Sequence, residues 1–287
     1  MRRNIIHIVL FILTVASTLY VGGARQSITG TLSFSLSEGL SYCIPIILIL
    51  LGHEMGHYLM SRRYGIRATL PFFLPFPFPP FGTLGAVIRM QSTTSSRKAL
   101  FDTGVAGPLT SLLLSIPAII IGLKLSTVIP SAGPAEGMVL GEPLLFTLIQ
   151  KLVLGGISET HTVILHPVGY AGWVGLFVTA LNLLPIGQLD GGHIAYSLFG
   201  RRSRAIFLIA IAVMAFVTIF YNPGWLLLLI LIILFGFRHP APLDDQTPVD
   251  GKRKFIGGIA FLALFLSFTP APFPQFVEEF KQVFHWF

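Results

Sequence analysis

Three ionisable residues, His53, Glu54 and His57, fall within five positions of an apolar stretch, Ile46-Ile47-Leu48-Ile49-Leu50-Leu51-Gly52-His53-Glu54-Met55-Gly56-His57-Tyr58-Leu59. Helical residues four apart are offset by about 40° and ~6 Å along the axis, so both imidazoles can reach one ion. Imidazole nitrogens bind zinc at about 2.0–2.1 Å, which that spacing permits. Glu54 lies about 100° round from His53, which favours a place behind the ligands, against an attacking water. A carboxylate there takes the proton as the water attacks a carbonyl. The pattern therefore points to metal-assisted hydrolysis by one Zn2+ per chain. Two helical histidines are also often mere surface residues in soluble proteins, so the setting decides. Eleven uncharged residues, 42–52, precede the motif. Charges in hydrocarbon cost at least ~2.5–3.5 kcal/mol on insertion scales, and a metal accounts for the cluster where plain burial does not.

The whole chain supplies that setting. Of its 287 residues 53% are hydrophobic and only 11% charged, too few charges to cover a water-facing surface. A soluble domain and disorder are excluded, and a single cysteine, Cys43, excludes a disulfide scaffold. The net charge of +7 would suit a nucleic-acid binder, but the basic residues sit in short clusters between apolar runs. The partner they imply is a lipid bilayer, with no nucleic acid. Apolar runs near the ~20 residues that a crossing helix needs give seven candidate spans, 4–21, 40–61, 101–124, 167–186, 203–221, 223–236 and 255–269. A shorter apolar piece, 143–155, carries Lys151 and is expected to lie at the interface.

With the N-terminus inside, fifteen of the nineteen Lys and Arg residues fall in inside loops. Those loops hold Arg2, Arg62, Arg97, Arg201, Arg238 and Lys252 with their neighbours, and the exceptions are Arg25, Lys124, Lys151 and Lys281. That asymmetry orients the chain, with its N-terminus and the motif towards the cytoplasm, or the stroma if the membrane is organellar. Arg2-Arg3 before an apolar run also suits a signal peptide, but the small residues after it match a cleavage site poorly. The expected fold is an all-α polytopic membrane protein of about seven helices. Without an internal repeat or a polar linker, residues 1–287 read as a single membrane domain.

Two histidines do not complete a catalytic zinc site, which needs three protein ligands and an open position. The candidates are Asp190, His193, His161 and His166. Asp190 is favoured because it ends an apolar span on the motif's side, whereas His161 and His166 are expected on the opposite side. Asp190-Gly191-Gly192 also reads as an ordinary turn, and His193 as a residue holding a carboxylate or as a plain loop histidine. Asp102 opens the third span and is expected to cap its first turn.

The stretch 70–92 starts with Pro71, Pro75, Pro77, Pro79 and Pro80 among phenylalanines, so it is not helical. Gly82 to Met90 then reads as a short strand. Two placements suit it: a re-entrant segment lining a cavity, or an amphipathic loop on the lipid surface.

His53-Glu54-Met55-Gly56-His57, followed far downstream by Asn182-Leu183-Leu184-Pro185-Ile186-Gly187-Gln188-Leu189-Asp190-Gly191, resembles the site-2 protease family of intramembrane zinc metalloproteases, peptidase family M50. Ala106-Gly107-Pro108 adds to the likeness, which covers about residues 40–200. The phenylalanine-proline run is similar to the variant typified by plastid gravitropism-linked proteases, although their Gly-Asn-Leu-Arg element is absent. The resemblance implies a three-helix catalytic core with the first span and residues 203–269 peripheral. It also implies zinc on His53, His57 and Asp190, Glu54 as general base and acid, and Asn182 hydrogen-bonding the substrate backbone or the oxyanion. Pro185 would break the fourth helix. The substrate would be a membrane protein with a transmembrane segment. No room remains for the PDZ or CBS domains of some relatives, so the core itself or a partner is expected to select substrates.

Two rivals stand beside this reading. A zinc protease with a glutamate as third ligand finds little support, since Glu38, Glu136, Glu142, Glu159, Glu278 and Glu279 all lie in or beside outside segments. A metal-ion or proton-coupled transporter also uses intramembrane His, Glu and Asp, but the chain shows neither an internal repeat nor a second acidic span.

Overall fold

The computed structural model describes residues 2–26, 32–90, 94–131, 138–158, 160–235, 241–275 and 277. Arg238, Lys281, Glu136, Glu159, Glu278, Glu279 and positions 91–92 and 236 lie outside them. The apolar runs form helices α1 (Arg2–Gly23), α2 (Leu36–Arg63), α3 (Arg97–Leu125), α5 (Pro167–Leu183), α7 (Ser203–Phe220), α8 (Leu226–Phe235) and α9 (Gly251–Ser267), with short helices α4 (Leu144–Leu154) and α6 (Asp190–Phe199) between them. Among the described residues, four helices are long and apolar enough to cross a membrane: Ile5–Gly23, Leu36–Arg63, Arg97–Leu125 and Asp190–Phe220. The last joins α6 to α7 through a single 3-10 turn, Gly200–Arg202. Helix α5 has 17 residues, ~26 Å of rise, because Pro167 starts it and Pro185 follows its end.

Helices α2, α3 and α5 pack together around the buried Ile46, Ile119, Trp173 and Leu176. Small residues bring α3 and α5 close: a side chain at Gly122 would meet the Gly169 backbone at 2.1 Å. The Ser111 and Thr179 hydroxyls bridge the same pair at 2.7 Å. Helix α9 lies against α3 and α5, with Ala260 fully buried.

Asp102 does not cap α3. The helix starts one and a half turns earlier, at Arg97, where the Ser96 side chain accepts from the Ala99 N–H. Asp102 instead takes both arms of Arg253 from α9, at 2.8 and 2.5 Å, and accepts the Tyr64 hydroxyl at 2.5 Å. Burial, with Asp102 beside it, raises the Tyr64 hydroxyl above its ordinary range, so it stays a donor.

The described residues also form three two-stranded antiparallel ribbons. Strand β1 (Ala24–Gln26) pairs with β2 (Leu32–Phe34), and β5 (Thr127–Pro130) with β6 (His161–Ile164). Neither ribbon is legible in the sequence, because each is four residues or shorter. The proline-rich stretch forms the third, β3 (Phe72–Pro75) with β4 (Thr83–Val87). The strand expected over 82–90 is thus present and shorter, with Ala68 and Met90 continuing the pairing as an isolated bridge.

Candidate metal centre

His53, Glu54 and His57 occupy the second half of α2, all three buried. Asp190 comes from elsewhere than expected: it opens α6 instead of ending α5. Proline disfavours helix for the residue before it, and here α5 stops at Leu183, with Leu184 ahead of Pro185 out of the helical conformation. Gly187, with φ of 53°, turns the chain back. A side chain at Gly191 would sit 1.9 Å from the Leu183 carbonyl, so the Asp-Gly pair lets α6 start tight against the end of α5. Asn182 and Asp190 therefore belong to successive helices, not to one.

The turn carries Asp190 to the two histidines. Its Oδ2 lies 3.2 Å from His53 Nε2 and 3.2 Å from His57 Nε2, and the two nitrogens are 3.1 Å apart. Donor atoms at 2.0–2.1 Å around tetrahedral zinc are about 3.3 Å from one another. The three separations match that triangle closely, and the donor set of two imidazoles and one carboxylate suits zinc. Among the described residues, His53, His57 and Asp190 are the group of three able to hold a metal ion.

Surrounding groups fix the triangle. His57 Nδ1 donates to the Thr103 carbonyl at 2.7 Å, which leaves the Nε2 lone pair facing the centre. Gly107 on α3 makes room for the same ring, since a Cβ there would stand 2.1 Å from His57 Nε2. A Cβ at Gly56 would lie 2.6 Å from the Ala106 carbonyl, so the two glycines let α2 and α3 meet at this level. The Asn182 amide nitrogen comes within 3.4 Å of His53 Nε2, at the rim of the centre. The Ile88 main chain, just beyond β4, lies beside the Glu54 carboxylate, so the hairpin borders the centre.

His193 lies one turn along α6, its Cβ 3.0 Å from the place of a Gly104 Cβ. His161 pairs with Pro130 in the β5–β6 ribbon, and the His166 side chain caps α5. Sequence reasoning named Gly107 only as part of a family likeness, without its place beside His57, and missed Thr103. Gly107 had a signal in the small-residue run Ala106-Gly107-Pro108, whereas Thr103 acts through its main chain, which leaves no trace in residue type.

Gly107→Ala is therefore expected to push the His57 ring out of the triangle. Its zinc affinity, measured by competition with a chelator, should fall by more than the ~10–100-fold that loss of an orienting partner costs.

A sequence model of peptidase family M50 matches residues 41–222, which include His53, Glu54, His57, Gly107, Asn182 and Asp190. The chain is similar to "Probable zinc metalloprotease EGY1, chloroplastic" of Arabidopsis thaliana, 30% identical over 249 residues, 85% of this chain and 45% of that protein. It is 33% identical over 252 residues to "Probable zinc metalloprotease EGY2, chloroplastic" of the same plant, 83% of this chain and 43% of the relative. To the EGY1 protein of Oryza sativa subsp. japonica it is 35% identical over 176 residues, 58% of this chain and 29% of the relative. The chain thus spans less than half the length of these curated relatives. With the matched region covering more than half of the chain and every residue of the candidate centre, the chain belongs to peptidase family M50.

Proposed function

We propose that this protein is an intramembrane zinc endopeptidase that hydrolyses peptide bonds in or near transmembrane segments of membrane proteins. The observation that carries the reading is the convergence of His53 Nε2, His57 Nε2 and Asp190 Oδ2 at zinc-ligand separations, with Glu54 beside them. His53, His57 and Asp190 would hold the ion, which when bound supplies Lewis acidity to water and to the scissile carbonyl. Glu54 removes a proton from the attacking water as its oxygen bonds to the carbonyl carbon. It returns that proton to the amide nitrogen as the C–N bond breaks, so no proton is gained or lost. The Asn182 amide donates to the oxyanion, in a site dry enough for one hydrogen bond to matter.

A helical substrate hides its carbonyls in hydrogen bonds and must unwind before it can be cut. The free edge of β4 receives the unwound segment as an added strand. Edge periodicity of two places Leu84, Ala86 and Ile88 on one edge, and Ile88 lies beside Glu54. We read the hairpin as re-entrant rather than surface-lying. Its Ile88 end meets Glu54 and its Phe81 end meets Tyr42, twelve residues and ~18 Å apart along α2.

In the membrane, α5, α8 and α9 bring the four long helices to seven spans, with the N-terminus and the centre towards the cytoplasm or stroma. Substrate reaches the core by lateral movement of the flanking helices.

The experiment is cleavage of a labelled transmembrane peptide by purified protein in detergent or liposomes. Cutting should stop when a chelator strips the metal and return when about one equivalent of zinc is added. Cleavage that persists without metal would sink the proposal, and metal transport by the same liposomes would favour the transporter.

A further inference from the structure

The tip of the β3–β4 hairpin presents three consecutive carbonyls, and each accepts a hydroxyl from a different helix. Tyr170 of α5 donates to the Pro80 carbonyl at 2.9 Å, Tyr42 of α2 to Phe81 at 2.7 Å, and Ser17 of α1 to Gly82 at 2.7 Å. Pro79 and Pro80 carry no N–H, so the tip is short of donors of its own. At membrane depth no water makes up the shortfall, and side chains from neighbouring helices must.

The donors are held as firmly as the acceptors. Tyr42 is fully buried, its ring stacked on Tyr170 at 5.3 Å, and Tyr170 stacks in turn on Trp173 at 6.0 Å. Gly82 has φ of +75°, and a Cβ there would come within 2.9 Å of the Ser17 carbonyl and Thr18 Cα. Glycine is what lets the tip lie flat on α1.

Strand β4 is thus held at its tip by the three hydroxyls, and its far end at Ile88 lies beside Glu54. It has β3 as its one strand partner among the described residues. Leu84 stays 65% exposed, and nothing lies within 4 Å of a Cβ at Gly85. The distances are consistent with a single rigid span. Phe81 to Ile88 is seven residues, at most ~25 Å of extended chain, alongside the ~18 Å of α2 between Tyr42 and Glu54.

We propose that Ser17, Tyr42 and Tyr170 form a three-hydroxyl latch, positioning residues that fix the hairpin tip so that the free edge of β4 stands at a set height beside Glu54. The latch touches neither metal nor substrate. Its catalytic consequence rests on the proposed role of β4 as the strand that pairs with substrate.

The test uses the full chain with Cys43→Ala and a nitroxide on Leu84→Cys, or on Leu152→Cys of the exposed α4 face as a control. Ser17→Ala, Tyr42→Phe and Tyr170→Phe are made singly and together. Each removes a hydroxyl and keeps the packing around it, and zinc content reports an intact core. The expected result is unchanged zinc, a mobilised label at 84, an unchanged label at 152, and a KM raised roughly tenfold in the combined variant with a smaller effect on kcat. The single tyrosine variants should show the same pattern more weakly, and they carry the test if the combined protein does not fold. A label at 84 as immobile as in the parent would overturn the latch, whatever happens to cleavage. A mobilised label with KM unchanged would leave the latch standing and overturn β4 as the substrate's seat.

Discussion

Glu54→Gln is expected to abolish peptide-bond hydrolysis while leaving zinc in place. Glutamine has the same shape, so the packing around position 54, which is buried, is kept. It lies outside the triangle of His53, His57 and Asp190, so the metal keeps all three protein ligands. What glutamine lacks is any means of taking a proton from water at neutral pH. General base–acid catalysis contributes about 10²–10⁴-fold, and here one group serves both proton transfers. Turnover of a labelled transmembrane peptide should fall by at least that range. Zinc per chain, measured on the same sample by mass spectrometry, should match wild type. Substantial cleavage by Glu54→Gln would mean that another group moves the proton. Loss of zinc in that variant would place Glu54 among the ligands.

Asp190→Ala should have the opposite signature, losing metal first and activity as a consequence. Alanine leaves two imidazole nitrogens 3.1 Å apart and no third donor. Structural and catalytic zinc sites in proteins hold the ion with at least three side chains, and a pair holds it weakly. Affinity should drop by more than the ~10–100-fold typical of lost outer partners. Cleavage at limiting zinc should disappear with it. The position of Asp190 at the start of α6 makes the substitution clean, because the helix remains anchored by Gly191 against Leu183 and by the His193 N–H on the Leu189 carbonyl. Wild-type zinc affinity in Asp190→Ala would remove Asp190 from the ligand set and return the choice of third ligand to the other histidines.

The helical half of the candidate site was legible because its geometry is local. His53, Glu54 and His57 share one helix, and helical geometry alone predicts which way they face. The apolar runs were equally plain, and the strand after the prolines was readable from its β-branched and glycine content. Asp190 was expected beside the two histidines and lies there, but it opens a helix where it was expected to end one. Apolar residues continue across the α5–α6 turn, so composition shows one segment where Pro185 and Gly187 make two. Asp102 was misread for a related reason: charge near the start of an apolar run looks like a cap until its partner, Arg253, arrives from 151 residues away. The Thr103 carbonyl and the Pro80, Phe81 and Gly82 carbonyls were invisible, since every residue owns such groups. Only the fold decides which of them meet a side chain.

The most direct test of the centre is X-ray absorption at the zinc edge of the purified protein. The structure predicts one zinc per chain, bound by two imidazoles and oxygen donors at about 2.0–2.1 Å, with no sulfur neighbour. A zinc-saturated sample whose spectrum lacks imidazole scattering, or shows sulfur at about 2.3 Å, would contradict a metal held by His53, His57 and Asp190.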